Sequence, residues 1–170
     1  SEETQSSLEM LLPAVAMRLP SAIMRANALA ALALGEAVGL PRPAMLEALR
    51  EFRGLPHRCT WVATQQGVAW FNDSKGTNVG ATVAALQGLE KPKQVIWIAG
   101  GEGKGADFSP LQEVVAEHCR ASILIGRDAP LIAKALGNVV PVYYANSMIE
   151  AVGQAAKLAQ AGDAVLLSPA

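Results

Sequence analysis

Two hydrophobic rhythms divide the chain. From residue 24 to 39 apolar side chains surround most of a helix that stops at Gly39, with Pro41 just beyond. PRPAMLEALREF then places Pro43 near a first turn and Met45, Leu46, Leu49 and Phe52 on one helical face, before GLPHR at 54–58 breaks the pattern. The richest apolar run, ALAALALGEAVGL at 28–40, is interrupted by Gly35 and Glu36. It predicts a buried helix of a soluble protein, because a membrane span needs roughly 18 uninterrupted apolar residues.

From residue 59 the period shortens. TWVAT and VAWF, separated by QQG, predict a hairpin. Helices predicted at about 78–89, 109–119, 129–136 and 147–160 then alternate with the strand patterns QVIWIAG, ASILIG, PVYYA and AVLLSPA. Strands separated by helices predict an α/β fold, a Rossmann-like and mostly parallel sheet with helices on both faces, preceded by a small helical segment. The expected division is 1–55 and 56–170, with GLPHR as the boundary. In such sheets ligands meet the loops beyond the carboxyl ends of the strands. Here those are NDSKGTN, GGEGKGAD, GRDAP, ANSM and SPA.

Composition narrows the function. With 51% hydrophobic and 17% charged residues the chain is no disordered tail, and some apolar surface is expected to be covered by further neighbours. A net charge of -1 with scattered Lys and Arg argues against nucleic acid and an anionic membrane as partners. Cys59 and Cys119 have neither CxxC spacing nor clustered histidines, so a disulfide framework or zinc site is not expected, and a cytoplasmic setting is. The opening SEETQSSLEM is acidic, unlike a secretory leader.

Among the loops, NDSKGTN brings Asp73, Lys75 and Thr77 to a strand end just before a helix, whose free amides favour an anion. Ser74, Thr77 or Asn78 as a helix cap accounts for the small polar residues but not for Lys75. GGEGKGADFSPL matches neither the Walker A nor the GxGxxG spacing, and Ser109 with Pro110 reads as a helix start. It is either a flexible loop that lets Lys104 approach a ligand or a glycine-rich turn with a solvated lysine. Arg127 and Asp128 are expected to pair on the rim, Arg58 to reach a nucleotide from the linker, His118 to lie on the surface, and Trp61, Trp70 and Trp97 to lie in the core. No carboxylate pair, Ser-His-Asp trio or Cys-His pair stands at useful spacing for an internal nucleophile.

GLPHR, WFNDSKGTNVGATVAAL, GGEGKGADFSPL and DAVLLSPA, in this order, closely resemble the C-terminal part of the Mur ligases over about residues 25–170, and in particular the branch that adds D-glutamate. The resemblance implies that residues up to about 55 are the tail of a central ATPase domain and the rest most of an amino-acid-binding domain. It implies a cytoplasmic and monomeric ligase acting on ATP, UDP-N-acetylmuramoyl-L-alanine and D-glutamate through an acyl phosphate. Carried over by position, Asn27 would lie near adenine, and Arg58 and Asp73 would contact ATP, Asp73 through ribose hydroxyls. Lys75, Thr77 and Lys104 would hold D-glutamate and nearby phosphate, with Lys75 and Lys104 catalytic, and Ser168 would sit near the distal carboxylate. Mg²⁺ would be held by the central domain, and no metal ligand is expected in this chain.

Two departures stand out. Where the family has Gly-x-His-Asn-x-x-Asn, Ser21 to Asn27 reads SAIMRAN, which implies joined discontinuous segments or altered adenine contacts. The sequence stops at SPA, before a family segment that completes the glutamate pocket, and the P-loop and modified lysine have no counterpart, so catalysis by these residues alone is not expected. The alternative is a non-catalytic or oxidoreductase nucleotide-binding module, with GGEGKG on a pyrophosphate and Asp128 on a ribose.

Overall fold

The computed structural model describes residues 22–89, 91–103 and 105–170. They fall into two compact units that divide between Gly54 and Leu55. In the first, α1 (Ala22–Ala37) and α2 (Arg42–Glu51) form a helical hairpin. Gly39, at a φ of 75°, allows the turn, and Leu40 closes it by donating its amide to Gly35 O. A Cβ at Gly35 would overlap the sulfur of Met45, so the missing side chain sets the approach of the two helices. Burial of α1 is confined to a stripe of Ala28, Leu32 and Gly35, while Leu29, Leu34 and Val38 are exposed. The expected buried helix is therefore buried on one side only within this unit.

The second unit is a six-stranded sheet made of β1 (Thr60–Gln65), β2 (Val68–Asn72), β3 (Val95–Gly100), β4 (Cys119–Ile125), β5 (Val142–Ala145) and β6 (Ala164–Leu167). The spatial order is β1-β2-β6-β3-β4-β5. Only β1 runs antiparallel, as one arm of the expected hairpin, and the other pairings are parallel. Five strands thus end on the same edge, and the loops singled out above gather there.

Four helices cover the sheet. They are α3 (Val79–Gly88), α4 (Leu111–His118), α5 (Ala129–Leu136) and α6 (Met148–Leu158). Alternation along β3 sends Trp97 into a core shared with Leu86, Leu111, Val115, Ile132 and Leu136, so α3, α4 and α5 occupy one face. Ile96 and Ile98 point the other way, against Ala151 and Ala155 of α6, whose small side chains let that helix lie close. Each fully buried Leu, Ile or Trp contributes about 2 kcal/mol by area, which holds the strand ends rigidly in place. The expected helices on both faces are present, three on one and one on the other.

Two side chains depart from expectation. Trp61, on the edge strand, is 54% exposed, because nothing continues the sheet beyond β1. His118 is buried at the C-terminal end of α4 rather than on the surface, because α4 packs its last turn onto the sheet ahead of β4.

Candidate functional site

The loop after β2 is built from below. Asp73 leaves the strand with its amide donating to Leu167 O of β6, and its carboxylate turns inward, where only 6% of the residue is exposed. Ser168 Oγ donates to Oδ2 at 2.8 Å, and the Cys59 amide donates to Oδ1 at 3.0 Å. Burial raises the pKa of Asp73 above the ordinary aspartate range, against the lowering effect of Ser168, of the Cys59 amide and of the nearby Arg58 charge. The Cys59 thiol is in turn pushed up to about 11 by burial and by Asp73.

The same loop clamps the segment that follows the division between the units. Lys75 donates its amide to His57 O at 3.1 Å, and Asn72 Nδ2 lies 3.1 Å from His57 Nδ1. His57 and Cys59 take φ values of 63° and 46°, a left-handed conformation that L side chains rarely adopt and that surrounding contacts must hold in place. Arg58 stands exposed between them, close enough to act on Asp73.

Asn78 caps α3, its side-chain oxygen accepting from the Ala81 amide at 2.9 Å. That settles which of the three small polar residues is the cap, and it leaves Thr77 exposed and free of that duty. Lys75 is exposed too, and among the described residues nothing pairs with its ammonium. Helix geometry leaves the Val79 and Gly80 amides without intrahelical acceptors. A cation, a hydroxyl and a helix N-terminus therefore share one small surface, an arrangement suited to a carboxylate or phosphate.

The loop after β3 is held differently. Gly100 and Gly101 take φ values of 117° and 126°, and a Cβ at Gly100 would overlap the Ile125 carbonyl. The Gly103 amide donates to Asp128, Asp128 donates its own amide to Gly101 O, and Phe108 is buried beneath. Lys104, expected to approach a ligand from this loop, lies outside the described residues.

Asp128 and Arg127 do not pair with each other. Arg127 instead meets Glu102 at 3.1 Å. Asp128, the acid that the alternative nucleotide-binding reading assigned to a ribose, is engaged through one carboxylate oxygen in bracing Gly103. Ser109 is not the α4 cap. Its hydroxyl and amide both go to Asp107, and Pro110 holds the cap position without a side-chain bond.

Ser168 is wholly buried, with Thr82 Oγ1 at 2.9 Å. Asn27 is exposed on α1, in the other unit. Pattern reading overlooked Thr82, whose trace in the sequence is a lone hydroxyl in the apolar stretch VGATVAAL one turn after the cap. Among the described residues no group of three His, Cys, Asp or Glu could hold a metal ion, and no helix is long and apolar enough to cross a membrane.

A mostly parallel sheet with helices on both faces, an exposed lysine and arginine and a capped helix start near its carboxyl edge defines an α/β domain of the Rossmann-like class. The chain belongs to the Mur ligase family, since the model of the Mur ligase glutamate ligase domain matches residues 57–170. It is 57% identical over 164 residues to the UDP-N-acetylmuramoylalanine–D-glutamate ligase of Pseudomonas syringae pv. syringae, which covers 95% of this chain and 37% of that protein. It is 60% identical over 157 residues to the ligase of the same name from Nitrosococcus oceani, covering 91% and 35%. The chain thus spans little more than a third of the length of these relatives. Among solved structures, a type C pseudomurein peptide ligase from Methanothermus fervidus gives a TM-score of 0.72 at 17% identity, covering 91% of this chain and 34% of that one. The UDP-N-acetylmuramate–alanine ligase of Thermotoga maritima gives 0.65 at 18% identity, covering 89% and 35%. At these identities the two structures speak for the fold.

Proposed function

We propose that this chain is part of an ATP-dependent ligase that joins D-glutamate to UDP-N-acetylmuramoyl-L-alanine, a step in peptidoglycan precursor synthesis, and that its larger unit binds the amino acid. The observation that carries the reading is Lys75, exposed beside the start of α3 on a loop braced by a buried acid. The activity by which relatives at 57 and 60% identity are named supplies the reaction.

The chemistry needs gathered cations. ATP transfers its γ-phosphoryl group to the alanyl carboxylate and leaves as ADP. The amine of D-glutamate then attacks the acyl carbon, loses a proton and expels inorganic phosphate as the amide forms. Lys75, Thr77 and Lys104 would hold the glutamate carboxylates and the adjoining phosphate, where cationic hydrogen bonds and the α3 amides act together. Ser168, buried with its one hydroxyl proton given to Asp73, would support the distal-carboxylate side of the site from beneath rather than by donating to the ligand. Arg58 would meet the nucleotide phosphates from its strained turn, and Asn27 would lie by the adenine.

Asp73 already accepts two hydrogen bonds from within the chain, so ribose hydroxyls would have to meet its remaining lone pairs. Mg²⁺ does not fit the described residues, which offer no group of three His, Cys, Asp or Glu to hold it, and its ligands would lie in the central domain. Residues up to about 55 would be the tail of the ATP-binding domain, and the enzyme would work as a cytoplasmic monomer.

Replacing Lys75 or Lys104 by Ala in the full-length protein tests this reading. A loss of about 100-fold in kcat/KM for D-glutamate is expected, the scale of a charge-assisted contact to a carboxylate. Unchanged turnover together with unchanged D-glutamate affinity would overturn it.

A further inference from the structure

We propose that Thr82 is a positioning residue for the amino-acid site, acting through Ser168, an inference that rests on the function proposed above. The argument is a count of protons. Ser168 carries one hydroxyl proton, and it is donated to Asp73 Oδ2 at 2.8 Å. The 2.9 Å contact between Ser168 Oγ and Thr82 Oγ1 must then be a bond donated by Thr82. The result is a directed chain, Thr82 to Ser168 to Asp73, that continues through the other carboxylate oxygen to the Cys59 amide.

Thr82 and Ser168 are both fully excluded from solvent, so no water competes for these hydroxyls and each bond restricts the next. The chain links four segments: α3, the end of β6, the loop after β2 and the turn that carries Arg58. Thr82 lies one helical turn after Asn78, so the helix that presents its first amides to a ligand also fixes the serine beneath them. Held between Thr82 and Asp73, Ser168 keeps one rotamer and holds the Asp73–Lys75 turn in one shape. Valine, of nearly the same shape, would fill the space but donate nothing, leaving Ser168 held by Asp73 alone and Lys75 and Thr77 less well placed.

The test uses the full-length protein with Thr82→Val, Thr82→Ser and Lys75→Ala, following kcat, KM for D-glutamate and KM for ATP. Thr82→Val is expected to raise the D-glutamate KM about fivefold to tenfold, the scale of one buried hydrogen bond, with kcat within about twofold. Thr82→Ser, which keeps the donor, is expected to restore it. If Lys75→Ala impairs D-glutamate use while Thr82→Val leaves its KM unchanged, the inference about Thr82 is wrong and the proposed function stands. If serine is as poor as valine, the methyl group matters rather than the hydroxyl, and the inference is again wrong. If Lys75→Ala has no effect, the functional reading itself falls and takes the role of Thr82 with it. Should valine prevent folding, Thr82→Ala against Thr82→Ser is read by the same criteria.

Discussion

The loops after β2 and β3 leave the same edge of the sheet, and they are stabilised by opposite means. The first is held from inside by a buried carboxylate that binds side chains and amides of distant segments. The second is held by backbone, with glycines in conformations closed to other residues and Asp128 fastened to one amide. Their acids titrate in opposite directions as well. Burial raises Asp73, while the amide and then the hydroxyl of Ser109 lower the exposed Asp107. A charged network can be rearranged one bond at a time. A loop made of glycine conformations instead tolerates no side chain at its narrow points.

The sharpest break is expected at Gly100. Alanine there would have to displace the Ile125 carbonyl and adopt a φ of 117°, so Gly100→Ala should lower stability by about 3 kcal/mol, measured by urea unfolding. A loss below about 1 kcal/mol would mean that the second loop is not held by its backbone. A smaller effect is expected in the first loop. Asp73→Asn retains an acceptor for the Cys59 amide but turns a donor toward Ser168, and should cost about 2 kcal/mol. Faster amide exchange at Cys59 and Lys75 should accompany it, and unchanged exchange would show that the carboxylate does not hold the turn.

The pH response is the gentlest probe. An acid whose pKa is raised by folding contributes less stability as pH climbs from the ordinary aspartate range through its raised value. Asp73 should therefore favour the folded state under acid conditions and weigh against it at neutrality. Asp107 is the reverse, its contribution present at neutral pH and lost as pH falls through its lowered value. Carboxyl NMR titration should find the Asp73 midpoint above that of Asp107, and the opposite order would remove the contrast.

Much of this architecture is legible in the sequence because burial imposes periodicity. QVIWIAG alternates between two cores and could hardly be anything but a central strand, and α5 lies where its pattern places it, at 129–136. The candidate loop with Asp73, Lys75 and Thr77 stood out for another reason, since helix capping accounts for its small polar residues but not for Lys75. What stayed hidden depends on long-range pairing. Thr82 meets Ser168 across 86 positions, and Asp128 meets Gly103 across 25, and neither carries any local mark of its partner. Trp61 and His118 failed for a related reason, because exposure depends on which strand is outermost and on where a helix end packs.

The strand order carries a consequence for how the chain acquires its shape. β6, which follows the other five described strands in chain order, lies between β2 and β3, which pair with it and not with each other. Until Ala164–Leu167 emerge from a ribosome, the β1–β2 hairpin is a separate two-stranded piece, marginal by itself, and Asp73 has neither its backbone acceptor at Leu167 nor its hydroxyl partner. The braced turn that carries Lys75 thus waits for β6, which wedges two earlier halves into a continuous sheet.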